Sequence, residues 1–119
     1  MMKVFLLAGL GGAIGSMLRV AANFFVRTGF LPYSTLLVNI FGSFLIGCFV
    51  ALGSQQTIGT NMNTFLIMGI CGGFTTFSAF SLENLQYLND RKYLQAIIYI
   101  TASFMLSILA TWLGYKCIA

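Results

Sequence analysis

Histidine is absent from the 119 residues, and the only acidic residues are Glu83 and Asp90. The three cysteines, Cys48, Cys71 and Cys117, stand singly inside apolar segments, with no CxxC spacing. These absences remove the ligand sets that zinc or haem needs and the partners of a thiol catalyst. The cysteines read as small hydrophobes in helix packing. Charge is scarce too: 7% of residues are charged, and the six basic ones are scattered instead of forming a patch, so nucleic-acid binding has no support. No nucleotide-binding loop occurs, and with it goes any sign of an energy source. There is one proline, Pro32, and it lies between apolar runs.

What remains is apolar. Hydrophobic residues make up 59% of the chain and the mean hydropathy is +0.94, values of an integral membrane protein. A membrane-spanning helix takes about 20 apolar residues, so the expected fold is all-α, with four spans at Val4 to Val26, Thr35 to Gly53, Asn63 to Asn89 and Tyr93 to Cys117. The N-terminal run superficially resembles a signal peptide. Its apolar character continues past Gly15 to Phe25 without a small-residue cleavage site, and it is read as a retained first span. Turn signals separate the spans: Arg27 to Pro32, Ser54 to Met62, and Asp90-Arg91-Lys92. Lys3 and Lys116 flank the spans on the terminal side, against Arg27, Arg91 and Lys92 on the loop side, with Arg19 nearby. This slight bias favours termini outside under the positive-inside rule, and it is also the bias of a protein inserted in both orientations.

Gly72-Gly73-Phe74-Thr75-Thr76-Phe77-Ser78-Ala79-Phe80-Ser81 places two glycines and two β-branched threonines in the middle of the third span. Irregular backbone at membrane depth survives only where it is buried in protein or lines a wet cavity. A helix interrupted there leaves carbonyls without N–H partners, and unwound carbonyls can coordinate Na⁺. At about 1.5 Å per residue, the interruption falls at the bilayer midplane. On the same scale Phe80 lies about 6 Å, Asn39 about 7 Å and Tyr99 about 9 Å toward the loop side.

Asn39 is the strongest polar group of the second span, and a buried amide needs partners. Tyr99, Ser103, Ser107 and Thr111 form a hydroxyl stripe down the fourth span; a path, interhelical bonding and back-bonding all fit such a stripe. Phe77 and Phe80 share a helical surface, and their positive ring edges can face an anion. Arg19 and Glu83 are intramembrane charges. They are functional candidates by default, with an Arg19 to Glu83 ion pair or snorkelling as the structural alternative. Glycines such as Gly11, Gly15, Gly42 and Gly47 imply close helix packing.

These residues carry a resemblance. Gly11-Gly12-Ala13-Ile14-Gly15-Ser16-Met17-Leu18-Arg19, Leu37-Val38-Asn39-Ile40-Phe41-Gly42-Ser43-Phe44 and, most specifically, Gly72 to Ser81 resemble the Fluc/CrcB fluoride channels, with a looser match in the fourth span. The resemblance implies an antiparallel, dual-topology homodimer in the inner (plasma) membrane, with two fluoride pathways and a structural Na⁺ on the two-fold axis. By motif position it assigns the Na⁺ carbonyls to Gly72 and Thr75. The anion pathway falls to Asn39, Thr76, Phe77, Phe80, Ser81, Tyr99, Ser103 and Ser107. Arg19 matches the first-helix arginine, with Glu83 beside it as a vestibule or structural charge. Ala79 stands where a threonine is common and Val20 where an aromatic is expected; the first departure removes a hydroxyl near the pathway.

Two other classes fit the four spans. A proton-coupled exporter resembling the small multidrug transporters needs an embedded carboxylate, for which Glu83 is the candidate. A non-transporting assembly subunit would use the glycines alone and leaves the third-span motif unexplained.

Overall fold

The computed structural model describes every residue except Thr28, which belongs to the turn expected between the first two spans and lies outside the described residues. Among the described residues four long apolar helices run along a body of 48 × 29 × 25 Å. Its long axis exceeds the roughly 30 Å hydrocarbon layer of a bilayer. Helix α1 is Met2–Phe25 and α2 is Tyr33–Ser54. The third span is composite: α3 (Thr60–Asn63) leads into a π-helical stretch (Thr64–Cys71), then α4 (Gly72–Phe74) and, after two extended residues, α5 (Phe77–Asn89). Helix α6 (Tyr93–Ile118) closes the chain.

The helices are apolar around most of their circumference, so their outer faces need a nonpolar solvent. Phe25 is 86% exposed and Ile108 69% exposed. In water such a surface would associate indiscriminately; in lipid it is matched. The chain is a multi-pass membrane protein.

Helix order in space differs from order in sequence. Helix α1 packs mainly on the π-helical stretch and α4, whereas α2 packs mainly on α6. Glycines set both contacts. A Cβ on Gly11 would sit 2.6 Å from the Phe65 carbonyl oxygen and 2.8 Å from the Gly69 Cα. On the other pair, a Cβ on Gly47 would overlap the Thr111 carbonyl oxygen, and one on Gly114 would overlap that of Phe44. Lipid tails supply no hydrophobic drive between helices, so this backbone-to-backbone approach, with its dispersion gain, is what holds them.

The buried apolar cluster is small and lies to one side: Leu31, Leu36, Phe80 and Tyr99, flanked by Ile40 and Tyr87. Between α5 and α6 the chain reverses tightly. Arg91 adopts a left-handed φ of 57° while the Lys92 N–H donates to the Tyr87 carbonyl at 2.8 Å.

Candidate functional site

The third span leaves helical geometry at two residues. Thr75 (φ −81°, ψ 153°) and Thr76 (φ −150°, ψ 120°) are extended, whereas Gly72 and Gly73 stay within α4. The interruption is therefore narrower than the Gly72 to Thr76 stretch suggested by composition. Gly73 is occupied otherwise: a Cβ there would overlap the Gly12 carbonyl oxygen and lie 2.9 Å from the Gly12 Cα, so it serves the α1 contact. The β-branched threonines, whose side chains suit extended backbone, carry the departure.

Hydrogen bonds at this point are redirected in an orderly way. The Thr75 N–H (3.0 Å) and hydroxyl (2.8 Å) both donate to the Cys71 carbonyl and close the helix. In a continuous helix the Thr76 N–H would donate to the Gly72 carbonyl. Here it donates to Asn39 Oδ1 at 2.8 Å, and Asn39 Nδ2 returns a bond to the Thr76 carbonyl at 3.1 Å. The next span segment starts on its own cap, with the Ala79 N–H donating to Thr76 Oγ1 at 3.2 Å instead of to the Thr75 carbonyl. Gly72 and Thr75 are thus the two carbonyls whose helical donors are drawn away by side chains. Within a membrane each such group carries a penalty of several kcal/mol unless a partner is found.

An open groove of about 240 Å³ runs beside the interruption. Asn39 and Ser43 of α2 form one wall, Thr75, Thr76, Phe77 and Phe80 the second, and Ser103, Phe104 and Ser107 of α6 the third. Phe80 is 6% exposed and makes ring contacts with Phe77 (centroids 5.4 Å apart), Tyr99 (5.0 Å) and Phe104 (5.9 Å, edge-on at 71°). Ser103 is buried and its hydroxyl has no hydrogen-bond partner among the described residues. Thr111, at the far end of the stripe, behaves otherwise, since its hydroxyl back-bonds to the Ser107 carbonyl at 3.1 Å.

Behind Phe80 lies a second polar group. Tyr99, fully buried, donates its hydroxyl to Glu83 Oε1 at 2.9 Å, and Thr35 donates to Oε2, also at 2.9 Å. Glu83 is therefore anchored by hydroxyls from α2 and α6. The alternative of an Arg19 to Glu83 ion pair is not formed among the described residues, and Arg19 Nε is buried without a partner. Tyr99→Phe leaves one carboxylate oxygen short of a donor, and a loss of about 1–3 kcal/mol of stability is expected. Thermal unfolding in detergent micelles measures it; an unchanged transition would remove this bond from the stability of the fold.

Of the residues singled out from sequence, the groove brings together Asn39, Thr75, Thr76, Phe77, Phe80, Ser103 and Ser107. Tyr99 sits beneath Phe80 rather than in the groove, Ser81 is exposed outside it, Gly72 is exposed next to the interruption, and Arg19 is separate on α1. Ser43, Phe104 and Thr35 were not singled out. Ser43 follows Asn39 by four residues, a helical spacing that places both on one face.

The sequence model of one family, described as CrcB-like protein, Camphor Resistance (CrcB), matches residues 6–115. The chain belongs to the CrcB family. Relatives named fluoride-specific ion channel FluC include a protein of Flavobacterium psychrophilum, 45% identical over 95% of this chain and 94% of its own length. Another, from Thermus thermophilus, is 41% identical over 94% of this chain and 91% of its own. One from Campylobacter fetus is 41% identical over 90% and 87%. These CrcB relatives are named as channels, a non-enzymatic activity.

Proposed function

We propose that the protein is a fluoride-selective channel of the plasma membrane, through which cytoplasmic F⁻ leaves passively down its electrochemical gradient. HF enters cells as a neutral acid and dissociates inside, so a passive route suffices for export. The observation that carries this reading is the groove itself, which brings Asn39, Ser103 and Ser107 together with the Phe80 ring beside the interrupted third span. Fluoride is small and tightly hydrated, and a selective path must replace its water with donors. Hydroxyls donate, the second Asn39 N–H is not used by Thr76, and aromatic edges carry positive potential.

The groove is open along one side, which supports its completion by a second, antiparallel copy and two pathways per homodimer. The carbonyls of Gly72 and Thr75 fit a structural Na⁺, because both have lost their helical donors and oxygen is the ligand that such a cation takes. When bound, the ion supplies positive charge where two carbonyl dipoles would otherwise stand uncompensated. Glu83, the carboxylate an exporter would titrate, has both oxygens engaged by hydroxyl donors, which favours a fixed role.

Reconstitution into liposomes loaded with KF or KCl tests the reading. Efflux of F⁻ is expected at least about a hundredfold faster than Cl⁻, a discrimination near 3 kcal/mol. Equal flux of both ions, or none above empty vesicles, would sink the channel.

A further inference from the structure

We propose that Asn39 is a positioning residue that holds the third span open, substituting for the missing stretch of main-chain pairing at Thr76. Its amide meets the backbone at two points, Oδ1 taking the Thr76 N–H at 2.8 Å and Nδ2 giving to the Thr76 carbonyl at 3.1 Å. The pairing fixes which end of the amide is oxygen, since only a carbonyl oxygen can accept the N–H. A side chain thereby does for one residue what a neighbouring strand does in a sheet.

The alternative for the backbone is to rewind. Rewinding returns the Thr76 N–H to the Gly72 carbonyl and the Ala79 N–H to the Thr75 carbonyl, and in lipid such internal bonds are the strongly favoured default. Asn39 removes the incentive by offering a bond of the same kind from outside. Helix α2 prepares the neighbouring residue as well, because Gly42 is bare where the Thr75 Cγ2 methyl enters, and a Cβ there would collide with it. One face of α2 thus receives both extended residues. The Gly72 carbonyl stays free as a direct result of where the Thr76 proton goes. That this carbonyl then holds a cation rests on the sodium reading above; the clamp on Thr76 does not.

The consequence is that Asn39 acts before any anion arrives, by setting the shape of the wall. A donor that only touched the anion would leave the backbone unchanged when removed, and a residue that only glued helices together would lower stability without altering the local conformation. Magic-angle-spinning NMR of the protein in lipid bilayers separates these cases through the Cα and Cβ shifts of Thr75 and Thr76. Asn39→Leu, apolar and similar in bulk, is expected to move both threonines from extended to helical shifts. Asn39→Asp retains the acceptor for the Thr76 N–H and is expected to keep them extended. Extended shifts in Asn39→Leu would overturn the proposal. Failure of Asn39→Leu to assemble, with Asn39→Asp assembling, supports it. Collapse of both variants counts against it, because the retained acceptor is the part of the clamp that the proposal requires.

A second arm reads the cation. Exchange of Na⁺ for N-methylglucamine at constant ionic strength is expected to lower the unfolding temperature of the wild type and to leave that of Asn39→Leu unmoved. An insensitive wild type removes the sodium reading and leaves the NMR result to decide the clamp. A sodium response of wild-type size in Asn39→Leu overturns the link between the two.

Discussion

Phe80→Ile is expected to reduce fluoride efflux from proteoliposomes by at least about tenfold while the protein still elutes as the wild-type assembly. Phe80 lies where the groove meets the buried cluster, in contact with three other aromatic rings. Isoleucine keeps most of the bulk against Leu31 and Leu36, so the cluster survives, at a loss near 1 kcal/mol for a conservative apolar change. It has no positive edge, however. On the proposed pathway the ring edge would meet the anion in transit; an aromatic edge contact worth about 1–1.5 kcal/mol, absent in the variant, corresponds to about tenfold in rate. Ion-selective electrode traces measure the flux and size-exclusion chromatography the assembly. Wild-type efflux in the variant would take Phe80 out of the pathway; failure to assemble would make its role that of core packing.

Gly47→Val is expected to abolish recovery of monodisperse protein. The α2 and α6 backbones approach so closely there that the first added carbon overlaps the Thr111 carbonyl oxygen and lies 2.8 Å from the Tyr115 nitrogen. Backbone cannot rotate away as a side-chain tip can. Overpacking costs about 1–3 kcal/mol in ordinary cores, and here it also separates the contact that holds the pair in lipid. Gly9→Val is the matched control, since nothing lies within 4 Å of a Cβ at that position. The control is expected to match wild type in yield and efflux. Equal recovery of the two variants would show that the helices can slide apart without loss.

Much of this was legible beforehand. Four membrane helices follow from runs of apolar residues too long for anything else, and the CrcB resemblance rests chiefly on the Gly72 to Ser81 motif. The glycine pair in that motif was harder to interpret. Composition alone says that glycine weakens a helix, yet Gly73 remains helical because α1 presses against it, and Thr75 and Thr76 depart instead. Local preference was outweighed by a contact with residues some 60 positions earlier. The same limit applies to Glu83. Sequence offers Arg19 as an ion-pair partner for Glu83, but position along a span says nothing about azimuth, and the partners are Thr35 and Tyr99. Thr35 was hidden by standing at the expected edge of a span, where hydroxyls are ordinary. Asn39 was visible as a polar group needing partners; that those partners are the two backbone atoms of one residue needed coordinates.

The alternate pairing of helices, α1 with the first part of the third span and α2 with α6, bears on how the protein is made. Domains tend to form as their sequence leaves the ribosome, but no consecutive pair of spans in this chain is a finished unit. When α2 has been inserted, the glycine face it will use is still waiting for the 26 residues of α6 to be synthesised. Until then the nascent chain holds unmatched grooves in the bilayer and offers them to any other helix nearby. The α1 pairing can form once the third span is in place, but α2 gains its main partner only with α6, so a chain cut short before Tyr93 lacks the α2–α6 contact and is not a smaller version of the protein.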